Sequence, residues 1–149
     1  MDRIERLEAI EEIRNLKARY FRLMDCKLWD ELPSVFTSDM QVITPKGDVW
    51  MSGGANYAAS LKYGLEHAVS CHQGLTGEIE IIDSMNAKGI WAMQDVIEWE
   101  DRHPREGWKS ILGRGHYHET YRKEDGQWRI ATLKLTRLRL DIVRPDGAK

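Results

Sequence analysis

Apolar residues recur every three or four positions along the first stretch of the chain: Ile4, Leu7, Ile10, Ile13, Leu16, Tyr20 and Leu23, with Glu, Arg and Lys between them. That is the period of an amphipathic helix, and it predicts one from about Asp2 to Met24. Trp29, Leu32, Val35 and Phe36 repeat the period over a shorter second helix, which the polar stretch TSDM (37–40) ends. QVIT (41–44) then reads as a short strand and PKGD (45–48) as a turn, because proline fixes one backbone angle and glycine frees another. Tyr57, Leu61 and Leu65, four apart, place a third helix over roughly Gly54 to His67.

After His67 the period falls from 3.6 to 2. GEIEIIDS, GIWAMQDVIEWED and the run from Ser110 to Val143 alternate and are rich in Ile, Val, Trp, Tyr and Thr, with Asp125–Gly126 marking a hairpin turn. This predicts four long antiparallel strands. Helices followed by a meander make an α+β domain: a curved antiparallel sheet packing its concave face on three N-terminal helices. The terminal RPDGAK is polar and expected to fray. No repeat or linker interrupts the chain, so residues 1–149 are read as a single domain.

Composition narrows the partners. Lysine and arginine number 22 against 24 acids with no dominant like-charge block, so neither nucleic acid nor an anionic membrane is an expected partner, and an apolar small molecule is. Cys26 and Cys71 have no metal or redox spacing and make no disulfide framework, which places the chain by default in the cytoplasm. The N-terminus breaks its apolar positions with charge too often for a signal peptide or a span. Six tryptophans among 149 residues call for a core, an interface or a pocket wall to cover them.

Two charges fall in apolar company. Trp91, Met93, Asp95, Ile97 and Trp99 share one face of a strand, and Ala131, Leu133, Leu135 and Arg137 share a face of another. A carboxylate withdrawn from water must pair, protonate or touch a wet cavity. The alternatives are a structural salt bridge or an inverted register. His72 alternates with Gly74, Thr76 and Glu78 on the polar side of its strand, and only a bulge near Gln73–Gly74 would turn it inward. Tyr20 reads equally as a core aromatic, and Asp25 as a cap for the second helix. His116 and His118 share a strand face, but no third ligand converges on them, so they read as pocket wall or sheet surface and no metal is expected. The glycines of LGRGH (112–116) lack the spacing and setting of a phosphate cradle.

The segments LKARYFRLMDCKLWDEL, CHQGLTGEIEI, GIWAMQDVIEW, ETYRKEDGQWRI and LTRLRL, in that order, resemble the SnoaL-like family of the nuclear-transport-factor-2-like superfamily, in the branch containing bacterial bile-acid 7-alpha-dehydratase. The resemblance spans nearly the whole chain. It implies a cone-shaped α+β fold and five site residues inside the cone: Tyr20, Asp25, His72, Asp95 and Arg137. A second histidine of that branch is Leu75 here, which argues against an identical substrate. The implied activity is a cofactor-independent lyase, a dehydratase acting on a hydroxylated cyclic ketone or enone of steroid, terpenoid or polyketide type. The same groups would serve a ketosteroid-type isomerase, and the cone is also reused by non-catalytic binding or accessory domains, including oxygenase subunits. In the catalytic reading His72 is the base, oriented by Asp25. Asp95 either stays protonated as an acid or is held ionised by Arg137, which would otherwise steady a developing enolate, while Tyr20 donates to a substrate oxygen or to Asp95. The relatives also imply a homodimer or higher oligomer through the outer sheet face.

Overall fold

The computed structural model describes residues 1–145, so most of the polar tail, Asp146 to Lys149, lies outside the described residues. Helix α1 (Arg3–Asp25) starts at a capping box: the Asp2 carboxylate accepts from the Ile4 and Glu5 backbone N–H groups, and Glu5 accepts from the Asp2 N–H. Ile13, Leu16, Tyr20 and Leu23 are buried as their period predicts, and Met24 is buried beside them. The buried stripe is wider than expected, because Lys17 and Phe21 belong to it, and it is shorter, because Ile4 and Leu7 are exposed. With 23 residues the helix is about 35 Å long.

The end of α1 is a Schellman motif, with Leu28 N–H donating to Leu23 C=O (2.8 Å) and Lys27 N–H to Met24 C=O (3.2 Å). Its left-handed residue is Lys27, at φ 61°, where glycine is usual. The second expected helix is reduced to one 3-10 turn, Leu32–Val35. Pro33 is the second residue of that turn, and the chain becomes extended at Phe36 to enter β1 (Phe36–Ile43), which absorbs the TSDM stretch read as a stop. The domain therefore has two α-helices instead of three. The Thr44–Asp48 turn is closed by Thr44 N–H to Asp48 C=O (2.8 Å) and leads into an unforeseen four-residue edge strand, β2 (Val49–Ser52). Helix α2 (Gly54–Leu65) follows.

The four long strands are present: β3 (Ala68–Ile81), β4 (Asn86–Trp99), β5 (Ser110–Glu124) and β6 (Gln127–Val143). They form an antiparallel meander, β6 pairs parallel with β1, and the six-stranded order is β2-β1-β6-β5-β4-β3. Asp125 (φ 51°) and Gly126 (φ 75°) make the β5–β6 turn, the two positive angles that an Asp-Gly hairpin supplies. The curled sheet holds α1 and α2 against its concave face, where residues from both helices and all the long strands form one apolar cluster. Among the described residues no helix is long and apolar enough to cross a membrane.

Candidate active site

The parity of β3 decides where His72 points. Its pairing with β4 slips between Gly74 and Gly77, where Leu75 and Thr76 are consecutively exposed. Ala68, Ser70, His72 and Gly74 therefore lie inward before the bulge, and Gly77, Ile79 and Ile81 after it. The strict alternation that put His72 with Glu78 fails at that bulge, which lies at Leu75–Thr76, just past the Gln73–Gly74 position considered from sequence.

Asp25, the last residue of α1, meets His72 there. His72 Nδ1 donates to Asp25 Oδ1 (2.6 Å), the His72 backbone N–H to Oδ2 (2.8 Å), and Ser70 Oγ to Oδ1 (2.8 Å). Lys27 Nζ in turn donates to Ser70 Oγ (2.9 Å), so the left-handed residue that ends the helix also helps hold its terminal carboxylate in place. Asp25 is thus no cap for a following helix. Burial raises its carboxyl, but the hydrogen bonds from the His72 ring and backbone, the imidazole's charge and Ser70 outweigh burial and hold the group below its ordinary 3.8. An ionised Asp25 puts the imidazole proton on Nδ1. Nε2 is left without a hydrogen-bond partner among the described residues, on a ring that lines a cavity. Phe21 stacks parallel to that ring (centroids 6.3 Å apart, 7° between planes) and fixes its tilt.

Asp95 is the cross-strand partner of His72. It is 2 % exposed, and Arg137 grips it with both ends of the guanidinium: Nη1 to Oδ1 at 2.7 Å and Nη2 to Oδ2 at 2.8 Å. Such a fork is the pairing of a carboxylate with a guanidinium. The two residues stand on β4 and β6 with β5 between them, and they meet over Gly113. A Cβ on Gly113 would lie 2.0 Å from both Arg137 Nη1 and Asp95 Oδ1. Arg137 keeps the parity of Leu135, two residues before it, and the bulge at Leu138 comes only after it. Gly113→Ala is accordingly expected to break the fork and cost about 1–3 kcal/mol or more, read as a lower denaturation midpoint together with lost activity. Unchanged stability and activity would show that the bare backbone under the ion pair is immaterial.

Tyr20 does not reach Asp95; its hydroxyl lies 3.4 Å from that of Tyr57. Burial first, then the neighbouring Tyr57 and Tyr117, push Tyr20 well above its ordinary range, and burial pushes Tyr57 up to about 12, so both hydroxyls stay protonated. Tyr20, Tyr57, Tyr117, His72, Asp95 and Arg137 line one cavity of about 220 Å³ whose remaining wall is mostly apolar. Asp25 lies behind His72, outside the lining. Larger surface clefts of about 600, 580 and 720 Å³ contain none of the five residues implied by sequence. Sequence reading missed Tyr57 and Tyr117 as cavity residues. Tyr117 lies between His116 and His118, which face outward, with His118 Nε2 3.1 Å from Thr136 Oγ1.

A model of the SnoaL-like domain matches residues 5–134. "Probable cyclase FGR4" of Gibberella zeae is 29% identical over 142 residues, covering 88% of this chain and 92% of its own. In three dimensions the chain superposes on the protein named "Putative Scytalone Dehydratase" of Novosphingobium aromaticivorans with a TM-score of 0.78 at 18% identity, covering 97% of each chain. Against the type 3 hexachlorocyclohexane dehydrochlorinase of Novosphingobium barchaimii the TM-score is 0.76 at 18% identity, with 97% and 96% covered. With a family model spanning most of its length, and helices held in the concave face of a curled sheet, the chain belongs to the SnoaL-like domain family.

Proposed function

We propose that the protein is a cofactor-independent lyase, a dehydratase that removes water from a hydroxylated cyclic ketone or enone. The observation that carries the reading is the Asp25–His72 pair: a carboxylate bonded to Nδ1 at 2.6 Å, with Nε2 free on a ring that lines a largely apolar cavity. In this reading Nε2 takes the proton from the carbon beside the carbonyl, and the electron pair of that C–H bond moves onto the carbonyl oxygen as an enolate. The imidazolium is stabilised by Asp25, and the enolate oxygen by N–H groups of Arg137 not engaged by Asp95 and by the Tyr20–Tyr57 hydroxyls. The enolate then expels the hydroxyl from the neighbouring carbon, which leaves as water with the proton returned by His72, and the base is regenerated. Asp95 acts here as the ionised clamp that aims Arg137, the second of the two roles open from sequence. Each positioned acid or base contributes roughly 10²–10⁴ in rate, so no redox or metal chemistry is required by the reaction.

The likeness to proteins named as a cyclase, a dehydratase and a dehydrochlorinase supports carbon-acid chemistry without fixing the leaving group. The five matched residues favour the bile-acid 7-alpha-dehydratase branch. The cavity of about 220 Å³ shares Tyr57, Tyr117 and Leu135 with an apolar cavity of about 280 Å³, and the two together fall within the roughly 300–1,000 Å³ usual for ligand pockets, room for a substrate of more than one ring. The test is proton exchange and loss of water followed by NMR in deuterium oxide over a panel of hydroxylated cyclic ketones and enones. Absence of both across the panel would turn the reading towards a binding domain.

We also propose that the protein is a homodimer through its outer sheet face. Val69, Val96 and Leu138 are 79 %, 39 % and 76 % exposed on neighbouring parts of that face, more apolar surface than a solvated sheet needs. Light scattering should give twice the chain mass, and Val69→Asp with Leu138→Asp should halve it. A monomer at tens of micromolar would overturn this.

A further inference from the structure

The loop between β4 and β5 carries a histidine that the reaction above does not use. His103 N–H donates to Trp108 C=O (2.7 Å) and Gly107 N–H to His103 C=O (2.9 Å), which closes the loop tightly. Its ring is wedged against Trp99 (centroids 5.1 Å, 75°) and Trp108 (5.6 Å), and all three line the same cavity as His72. Nδ1 accepts two backbone N–H groups, from Arg105 (3.1 Å) and Glu106 (3.0 Å). With two donors aimed at Nδ1, the ring proton sits on Nε2. Burial chiefly, with the Arg105 charge, lowers this imidazole below 6.5 although Glu106 pulls the other way, so the ring keeps its neutral form. Nε2 has no hydrogen-bond partner among the described residues. It faces Gly64 near the end of α2, where a Cβ would come within 3.3 Å of it. That makes it a fixed, unspent donor.

It stands at the far end of the cavity from the base. Asp95 is paired with His72, and Trp99, four residues further along β4, is paired with Ala68, so the two ends are about 13 Å apart along the strand. We propose that His103 is a substrate-binding residue: its Nε2–H donates to an acceptor oxygen on the part of the substrate remote from the carbon that His72 deprotonates. The substrate class is then a ring system with two separated oxygen functions, the reacting hydroxyketone and a second hydroxyl or carbonyl under the Trp99–Trp108 end. This rests on the lyase reading for which end reacts, but not for the contact itself.

The test compares a bicyclic beta-hydroxyketone with the same molecule carrying a second hydroxyl on the ring remote from the carbonyl. Dissociation constants come from quenching of tryptophan fluorescence, with turnover followed separately. His103→Asn keeps a side-chain acceptor for the turn N–H groups while removing the ring donor. Gly64→Ala keeps the ring but places a methyl against Nε2, at a helix position where alanine is well tolerated. The wild type should bind the second compound more tightly than the first. Each variant should weaken the second about three- to tenfold more than the first, the worth of one net hydrogen bond. Equal weakening of the two compounds, no preference in the wild type, or no binding of either would overturn the proposal. Because the readout is binding, preference without turnover would leave His103 standing and sink the lyase reading, whereas turnover without preference would do the reverse.

Discussion

His72→Ala is expected to abolish turnover and carbon-bound proton exchange, a loss of roughly 10²–10⁴ or more, with the fold intact. The ring is a base only because Asp25 holds its proton on Nδ1, so Asp25→Asn should cost nearly as much while leaving every atom of the imidazole present: an amide can turn its N–H₂ towards Nδ1 and reverse the tautomer. Phe21 still stacks on the ring in that variant and Ser70 still offers its hydroxyl, so circular dichroism should change little near neutral pH, while the melting temperature should fall by the contribution that ionised Asp25 makes there. Stability in acid separates the variants further. The folded state holds Asp25 below its unfolded value of 3.8, so the unfolded state binds the proton more readily. The contribution of Asp25 is therefore fully present above about pH 4 and is lost as the pH falls through the lowered folded value. The asparagine variant should show a flatter loss of stability below pH 4. Activity indifferent to both substitutions would remove the base from the mechanism and leave the pair as architecture.

The arrangement of this site was only partly legible in the sequence, and the boundary is physical. Asp95 showed itself because a strand with period 2 exposes any polar residue on an apolar face, and β4 runs its full length without a bulge. His72 did not, because one bulge reverses parity and bulges leave only weak composition cues. The 3-10 turn at Leu32–Val35 mimicked a helix because four apolar residues at helical spacing do not distinguish a single turn from three. Edge strand β2 was too short for any period to register. The role of Gly113 was invisible for another reason: its requirement is set by two side chains on different strands that meet above it, a contact no local pattern encodes. His103 sits in a polar loop, where tautomer and orientation come from backbone geometry alone.

Lys17 makes the same point with the largest stability effect. It was read as one of the polar residues between apolar positions of α1, yet its side chain is 1% exposed and bonded to Glu119, at 0%. Glu119 also accepts from Tyr121 (2.6 Å), whose hydroxyl accepts from Trp91 Nε1 (2.7 Å), and the ammonium lies 3.7 Å over the Tyr117 ring and 4.5 Å over Tyr20. Burial lowers the Lys17 ammonium, and Glu119 opposes that shift. Removing one member strands the other charge in the core beneath two tyrosines of the active-site wall. Lys17→Met is therefore expected to cost about 3–5 kcal/mol, a large share of the roughly 5–15 kcal/mol that holds a domain together. Glu119→Leu added to it should restore most of that loss, since a buried pair often contributes little beyond an apolar substitute of similar volume. Chemical denaturation of the two single variants and the double variant measures the coupling directly. A single variant within about 1 kcal/mol of wild type would mean that water reaches Glu119. A double variant as unstable as the single one would mean that the hydroxyls of Tyr121 and its neighbours, and not the ion pair, depend on the carboxylate.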